Sequence, residues 1–208
     1  MILDRFQQFF VATAGTGDRI LPSSVDFGVQ NLARIFDELG GKTFNHGLYR
    51  VFHPGQLPVV TEAIEGVFPE YRGRIVPFGY DWLGRHFACD RARTEDGEPQ
   101  VLMLEIGAGE AMEIPASALD FHNIELVEYT DEALAAPFWS QWRSLNPTDL
   151  AFGDCVGYKV PLFLGGADDL TNLEVIDLSV YVEICGQLRN KVRTLPPGQS
   201  IRRISFAE

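Results

Sequence analysis

Along "SSVDFGVQNLARIFDEL" the apolar residues Val25, Leu32, Ile35, Phe36 and Leu39 fall on one helical face, and Gly40 and Gly41 supply a stop. "HGLYRVFHP" reads as a short β-run ended by Pro54, and "VVTEAIEGVFPEY" as a second helix closing near Pro69. From Arg74 the pattern shifts to short β-runs, "RIVPFG", "RHFACD", "QVLMLEI" and "AMEIP". They are separated by "EDGEP" and "GAG", hairpin-type connections in which Gly takes positive φ and Pro ends a ladder. An antiparallel meander is predicted.

Helical character returns in "PASALDFHNIELVEY" and in "TDEALAAPFWSQWRSL", with Thr130 and Asp131 as cap candidates and a pause at Pro137. "CVGYKVPLFLGG" is β-like up to its glycine pair. A closing helix is predicted from Leu178, Tyr181, Val182, Cys185, Leu188 and Val192, and "LPPGQSIRRISFAE" reads as an appended arm. With no repeat, low-complexity block or linker, residues 1–208 are expected to form a single α+β unit, a mostly antiparallel central sheet with flanking helices.

The composition changes this picture in three ways. Of the 208 residues 46% are hydrophobic, with fifteen Phe, which supports a real core and argues against disorder. The start "MILDRFQQFF" lacks a basic cluster and a cleavage pattern, and no run of about 18 apolar residues occurs, so a soluble cytoplasmic protein without membrane contact is expected. Cys89, Cys155 and Cys185 are odd in number and far apart, which suits unpaired thiols in a reducing compartment. The net charge of −12, from 29 acids against 17 bases, disfavours direct nucleic-acid binding and suits cationic partners, while solubility alone explains it equally well, so charge by itself names no partner.

Three readings compete for "FGYDWLGRHFACD": an active site, a metal site and a turn between strands. Cys89 and His86 are three apart on a β-run and point to opposite faces, which does not suit a nucleophile and its base. His86, Cys89 and Asp90, with His122 or His46, lack metal-ligand spacing. Neither a GxSxG, a phosphate loop nor HExxH occurs, and "GAGEAMEIP" is explained by a hairpin. No catalytic residue, metal or cofactor is therefore expected. In the turn reading Asp81 accepts backbone N–H groups and Gly84 takes positive φ, while Trp82 covers the sheet and Arg85 holds a carboxylate. Asp168 and Asp169, following "LGG", make an acidic loop that could meet a cation on another chain. Asp81, Trp82, Arg85, Asp168 and Asp169 are thus the candidate partner-binding residues.

The words "FNHGLYRVFHP", "GRIVPFGYDWLGRHFACD", "LEIGAGEAMEIPASALDFHN", "ELVEY" and "CVGYKVPLFLGGADDLTNLEVIDLSVYVEICGQL" together resemble the GAD-like, Tdi1-type family of type VI secretion immunity proteins. A more distant similarity is to the SMI1/KNR4-like (SUKH) proteins. The resemblance implies a SUKH-like α+β fold, with a GAD-like part over 1–100, a Tdi1 C-terminal-like part over 101–190 and a tail over 191–208. It also implies a non-catalytic protein that binds and neutralises a cognate basic toxin, plausibly a DNase effector. A SUKH-type module with another partner is the alternative, and a small hydrolase using His86 or Cys89 is a third reading. The oligomeric state is left open.

Overall fold

The computed structural model describes residues 2–13 and 27–193. The arm expected at the C-terminus, from residue 194 on, and Val25 with the start of the first predicted helix lie outside the described residues.

Six strands form one antiparallel sheet in chain order: β1 (Thr43–Phe44), β2 (Tyr49–Val51), β3 (Ile75–Asp81), β4 (His86–Glu95), β5 (Glu98–Glu105) and β6 (Glu110–Ser117). A second antiparallel pair joins β7 (Asp154–Tyr158) to β8 (Leu173–Asp177). The helices are α1 (Asp4–Phe9), α2 (Leu32–Leu39), α3 (Leu57–Val67), α4 (Ala118–Asp120), α5 (Leu126–Glu128), α6 (Thr130–Leu134), α7 (Ala136–Leu145) and α8 (Leu178–Arg193). This is an α+β fold with a mostly antiparallel central sheet, and its meander follows the predicted β-runs.

Every residue of β3 is buried, because both faces of the sheet are covered. On one face Phe78, Phe87 and Phe121 pack with His122, and Tyr49 and Phe6 continue the layer. On the other, Phe52, Tyr80 and His86 stack with centroids 4.8 and 5.6 Å apart, beneath α3 and α8. One cluster of buried residues runs from Leu3 to Cys185.

Several elements differ from their sequence prediction. Asn31 takes a left-handed conformation at φ 61°, so α2 begins only at Leu32. "PASALDFHNIELVEY" is extended through Ser117, whose hydroxyl then accepts the Asp120 N–H and starts α4. Thr130 does not cap α6; its hydroxyl donates to the Leu126 carbonyl instead. Ala135, at φ 49°, separates α6 from α7, with Pro137 in the first turn of α7. "CVGYKVPLFLGG" is strand only to Tyr158, since Pro161 cannot continue a ladder and the chain turns to Gly165. The strand β8 was not anticipated, nor was α1.

Candidate partner-binding surface

The turn from β3 to β4 is built as its residues suggest. Asp81 Oδ1 accepts the N–H groups of Leu83 and Arg85, both at 3.0 Å, and Oδ2 accepts Arg85 Nε at 2.6 Å. Gly84 sits at φ +73°, which favours glycine. Burial raises the Asp81 pKa, while Arg85 and the two N–H groups pull against it. Burial also works against the Arg85 charge, but Asp81 outweighs it and the guanidinium pKa rises. Arg85 donates further to the Ala133 carbonyl, and Trp82 Nε1 donates to Leu134 at 2.9 Å. The Trp82 ring lies among Phe138, Trp139 and Trp142, and its carbonyl accepts the Val156 N–H at 2.7 Å. Asp81 and Trp82 are wholly buried and Arg85 nearly so, so all three spend their chemistry inside the chain, fastening α6, α7 and β7 to the sheet.

Asp168 and Asp169 are exposed. Asp168 accepts the Tyr158 hydroxyl at 2.7 Å, and Asp169 accepts Thr171 N–H and hydroxyl and so caps the turn Leu170–Asn172. Gly166 is required beside them, because a Cβ there would meet the Val160 carbonyl at 1.9 Å. These carboxylates still face solvent and remain open to a cation.

The histidines and cysteines do not converge. His86 and Cys89 are both buried on opposite faces of β4; desolvation pushes the Cys89 thiol up to about 12 and His86 down to about 4. His122 lies in the aromatic layer, bonded to Tyr49 and to the Ala118 carbonyl, whereas His46 pairs with Asp149 at the surface. Cys155 and Cys185 are buried free thiols. Among the described residues no three His, Cys, Asp or Glu side chains are grouped to hold a metal ion.

What residue-by-residue reading missed is how charge is distributed. Residues 1–93 hold ten acids and ten bases, whereas residues 94–188 hold eighteen acids and two bases, Arg143 and Lys159. Between Thr94 and Trp142 there are eleven acids and no Lys or Arg. That stretch forms β5, the outer strand β6 and the helices after it, so Glu110, Glu113, Asp120, Glu128, Asp131 and Glu132 are all exposed. The outer edge of β6 has no strand partner among the described residues, and Met112 on it is 57% exposed. Counting charges in windows would have found this signal.

The second surface feature is a cleft between α3 and α8. Its deep end, about 440 Å³, is floored by Phe52, Tyr80 and His86 and walled by Val60, Phe152 and Val182. It continues along the two helices past Ala63, Gly66 and Gly186.

An acidic α+β chain with two open surfaces of this kind is a candidate binding protein, and comparison with known proteins finds a likeness over part of it. Residues 128–189 match the family model described as T6SS immunity protein Tdi1, C-terminal. This stretch, from the end of α5 into α8, is thus similar to the C-terminal domain of a type VI secretion immunity protein. No curated protein matches the chain. The crystal structure of Atu4351 from Agrobacterium tumefaciens is similar in fold, with a TM-score of 0.53 over 88% of each chain at 14% identity. Among the described residues no helix is long and apolar enough to cross a membrane.

Proposed function

We propose that this chain acts in the cytoplasm as a non-catalytic immunity protein that binds a cognate secreted effector, a DNase in the best-fitting case, and blocks its substrate groove. The observation that carries this reading is the separation of charge, eighteen acids against two bases over residues 94–188. A DNase gathers cations to hold phosphates, and a protein surface dense in carboxylates competes for the same cations. The likeness of residues 128–189 to a Tdi1 C-terminal domain supports it, since immunity proteins act by binding a toxin. Asp168 and Asp169 are available to such a partner, whereas Asp81, Trp82 and Arg85 support it only by holding the scaffold.

The test is to mix the purified chain with the product of the neighbouring effector gene and measure both binding and DNA cleavage. A one-to-one complex that abolishes cleavage is expected. No complex, or a complex that cleaves DNA at the free rate, sinks the reading.

A further inference from the structure

The meander that builds the sheet leaves its last strand open on one side. β6 pairs with β5 along one edge, from Glu110 opposite Glu105 to Ser117 opposite Gln100. Among the described residues no strand and no backbone hydrogen bond meets the other edge. Natural sheets blunt such an edge with lysine, proline or a bulge, because its free N–H and C=O groups template a further strand. In β6 the proline and the bulge come together at the far end: Pro115 stands in the slip between Ile114, opposite Val101, and Ser117, opposite Gln100. Residues 110–114 have neither, and no lysine.

The side chains along this run suit one kind of neighbour. Met112 falls on the same face as Phe87 and Met103, yet is 57% exposed, so it stands at the margin of the sheet as an apolar contact. Glu113 projects on the opposite face, where Arg93 Nε lies 3.3 Å away but leaves the Glu113 side chain 67% exposed. Glu110 is exposed and directly opposite Glu105. Carboxylates in facing positions of an antiparallel pair repel each other. Glu105 is half-buried: burial raises its pKa, Arg85 pulls it back, and Asp81, Asp168 and Glu110 push it up again. A cation brought beside Glu110 would relieve that repulsion.

We propose that residues 110–114 of β6 accept an extended segment of the effector as a seventh strand, held by backbone hydrogen bonds, with its Lys or Arg side chains against Glu110 and Glu113 and an apolar one against Met112. This rests on the immunity reading above. Side-chain alternation sets the pattern of the guest, because Glu110 and Met112 share one face and Glu113 holds the other. Read along β6, the guest presents a cation, any residue, an apolar residue and a cation in successive positions. A second copy of this chain is disfavoured as guest, because two β6 edges side by side would set these glutamates against each other and each chain carries −12.

The experiment is amide hydrogen exchange over β6, read by mass spectrometry on the full chain alone and with the co-encoded effector, together with calorimetric titration of Met112→Lys, Ala111→Pro and Met112→Pro. The outward amides of β6 are expected to exchange freely in the chain alone and at least about tenfold more slowly in the complex. Met112→Lys puts a lysine on the edge, as natural sheets do, and is expected to raise Kd at least about tenfold. Neighbouring strand residues aim their N–H groups at opposite edges, so one proline removes a bond to β5 and lowers stability, while the other removes only a donor to the guest. The proline variant that keeps native stability is expected to lose affinity by the same factor. If both prolines unfold the chain, Met112→Lys, at an exposed position, decides. Wild-type affinity in natively folded Met112→Lys, or unchanged exchange of β6 in a complex that forms, overturns the proposal and leaves the immunity reading intact. Protection of β6 in the chain alone also overturns it, the guest being a second copy if protection grows with concentration and another segment of the same chain if it does not. A chain that binds no effector removes the immunity reading and this one with it.

Discussion

Asp81 and Arg85 form a buried ion pair whose members are not interchangeable in cost. Asp81→Ala strands the Arg85 guanidinium and leaves two backbone N–H groups without their acceptor, and is expected to lower stability by about 3–5 kcal/mol. Adding Arg85→Met to Asp81→Ala should recover part of that loss, since the stranded charge is then gone. Gly84→Val meets a different obstacle, a positive φ and a Cβ 3.1 Å from Cys155 Sγ, and should cost about 1–3 kcal/mol. Urea denaturation of the four proteins checks the order; an Asp81→Ala milder than Gly84→Val refutes it. His86 and His122 give a pH signature at the same scale. Both are buried neutral, with pKa values lowered to about 4 by desolvation. The unfolded chain binds these protons from about pH 6.5 downward, so stability falls as pH drops from 6.5 towards 4, by up to about 3 kcal/mol per histidine. Denaturation midpoints across that window should slope less in His86→Phe than in wild type.

Among the elements, α8 is seated on β7 by what the glycines leave out. A Cβ on Gly157 would stand 2.7 Å from the Tyr181 ring, and one on Gly107 would stand 2.5 Å from its hydroxyl. Gly157→Ala should therefore destabilise by about 1–3 kcal/mol through overpacking, read as a lower urea midpoint at unchanged slope. The elements legible in the sequence were those whose own pattern sufficed: α2, α3, α8 and the strands of the meander, each set by local periodicity and bounded by Gly or Pro. β8 was not, because in "LEVID" only Leu173 is buried and the segment is a strand chiefly by pairing with β7. α1 was missed because it is six residues long and owes its place to Tyr49 and His122, packed against Phe6. The turn at Asp81 was legible as an Asx turn. The α3–α8 cleft was not, since its walls stand more than a hundred residues apart in the chain and meet only after folding.

For the whole molecule the charge map predicts the kinetics of association. If residues 94–188 meet a cationic partner, the on-rate should fall steeply with salt while the off-rate changes less. Glu110, Asp120, Asp131 and Glu132 replaced together by Lys should slow association and flatten that salt dependence. Folding should be little affected, because substitutions at exposed sites usually stay within about 0.5 kcal/mol each. Surface plasmon resonance at low and high ionic strength measures both rates, and a salt-independent on-rate in wild type would mean an apolar contact. Asp168→Lys with Asp169→Lys tests the loop separately, with Tyr158 losing one hydrogen bond.

Because β1 to β6 pair strictly in chain order, each strand finds its neighbour across a short loop except β2 and β3, which α3 separates, and such nearest-neighbour topology folds quickly. Synthesis from the N-terminus can therefore zip the sheet as it emerges from the ribosome. The Trp82 side chain, however, has no cover until residues 130–145 follow, and the face bearing Tyr80 and His86 is covered by α3 alone until α8 is made. A polypeptide stalled or cut before Leu178 would thus expose aromatic surface and invite aggregation or proteolysis. A chain made this way closes its core only when α8 has left the ribosome.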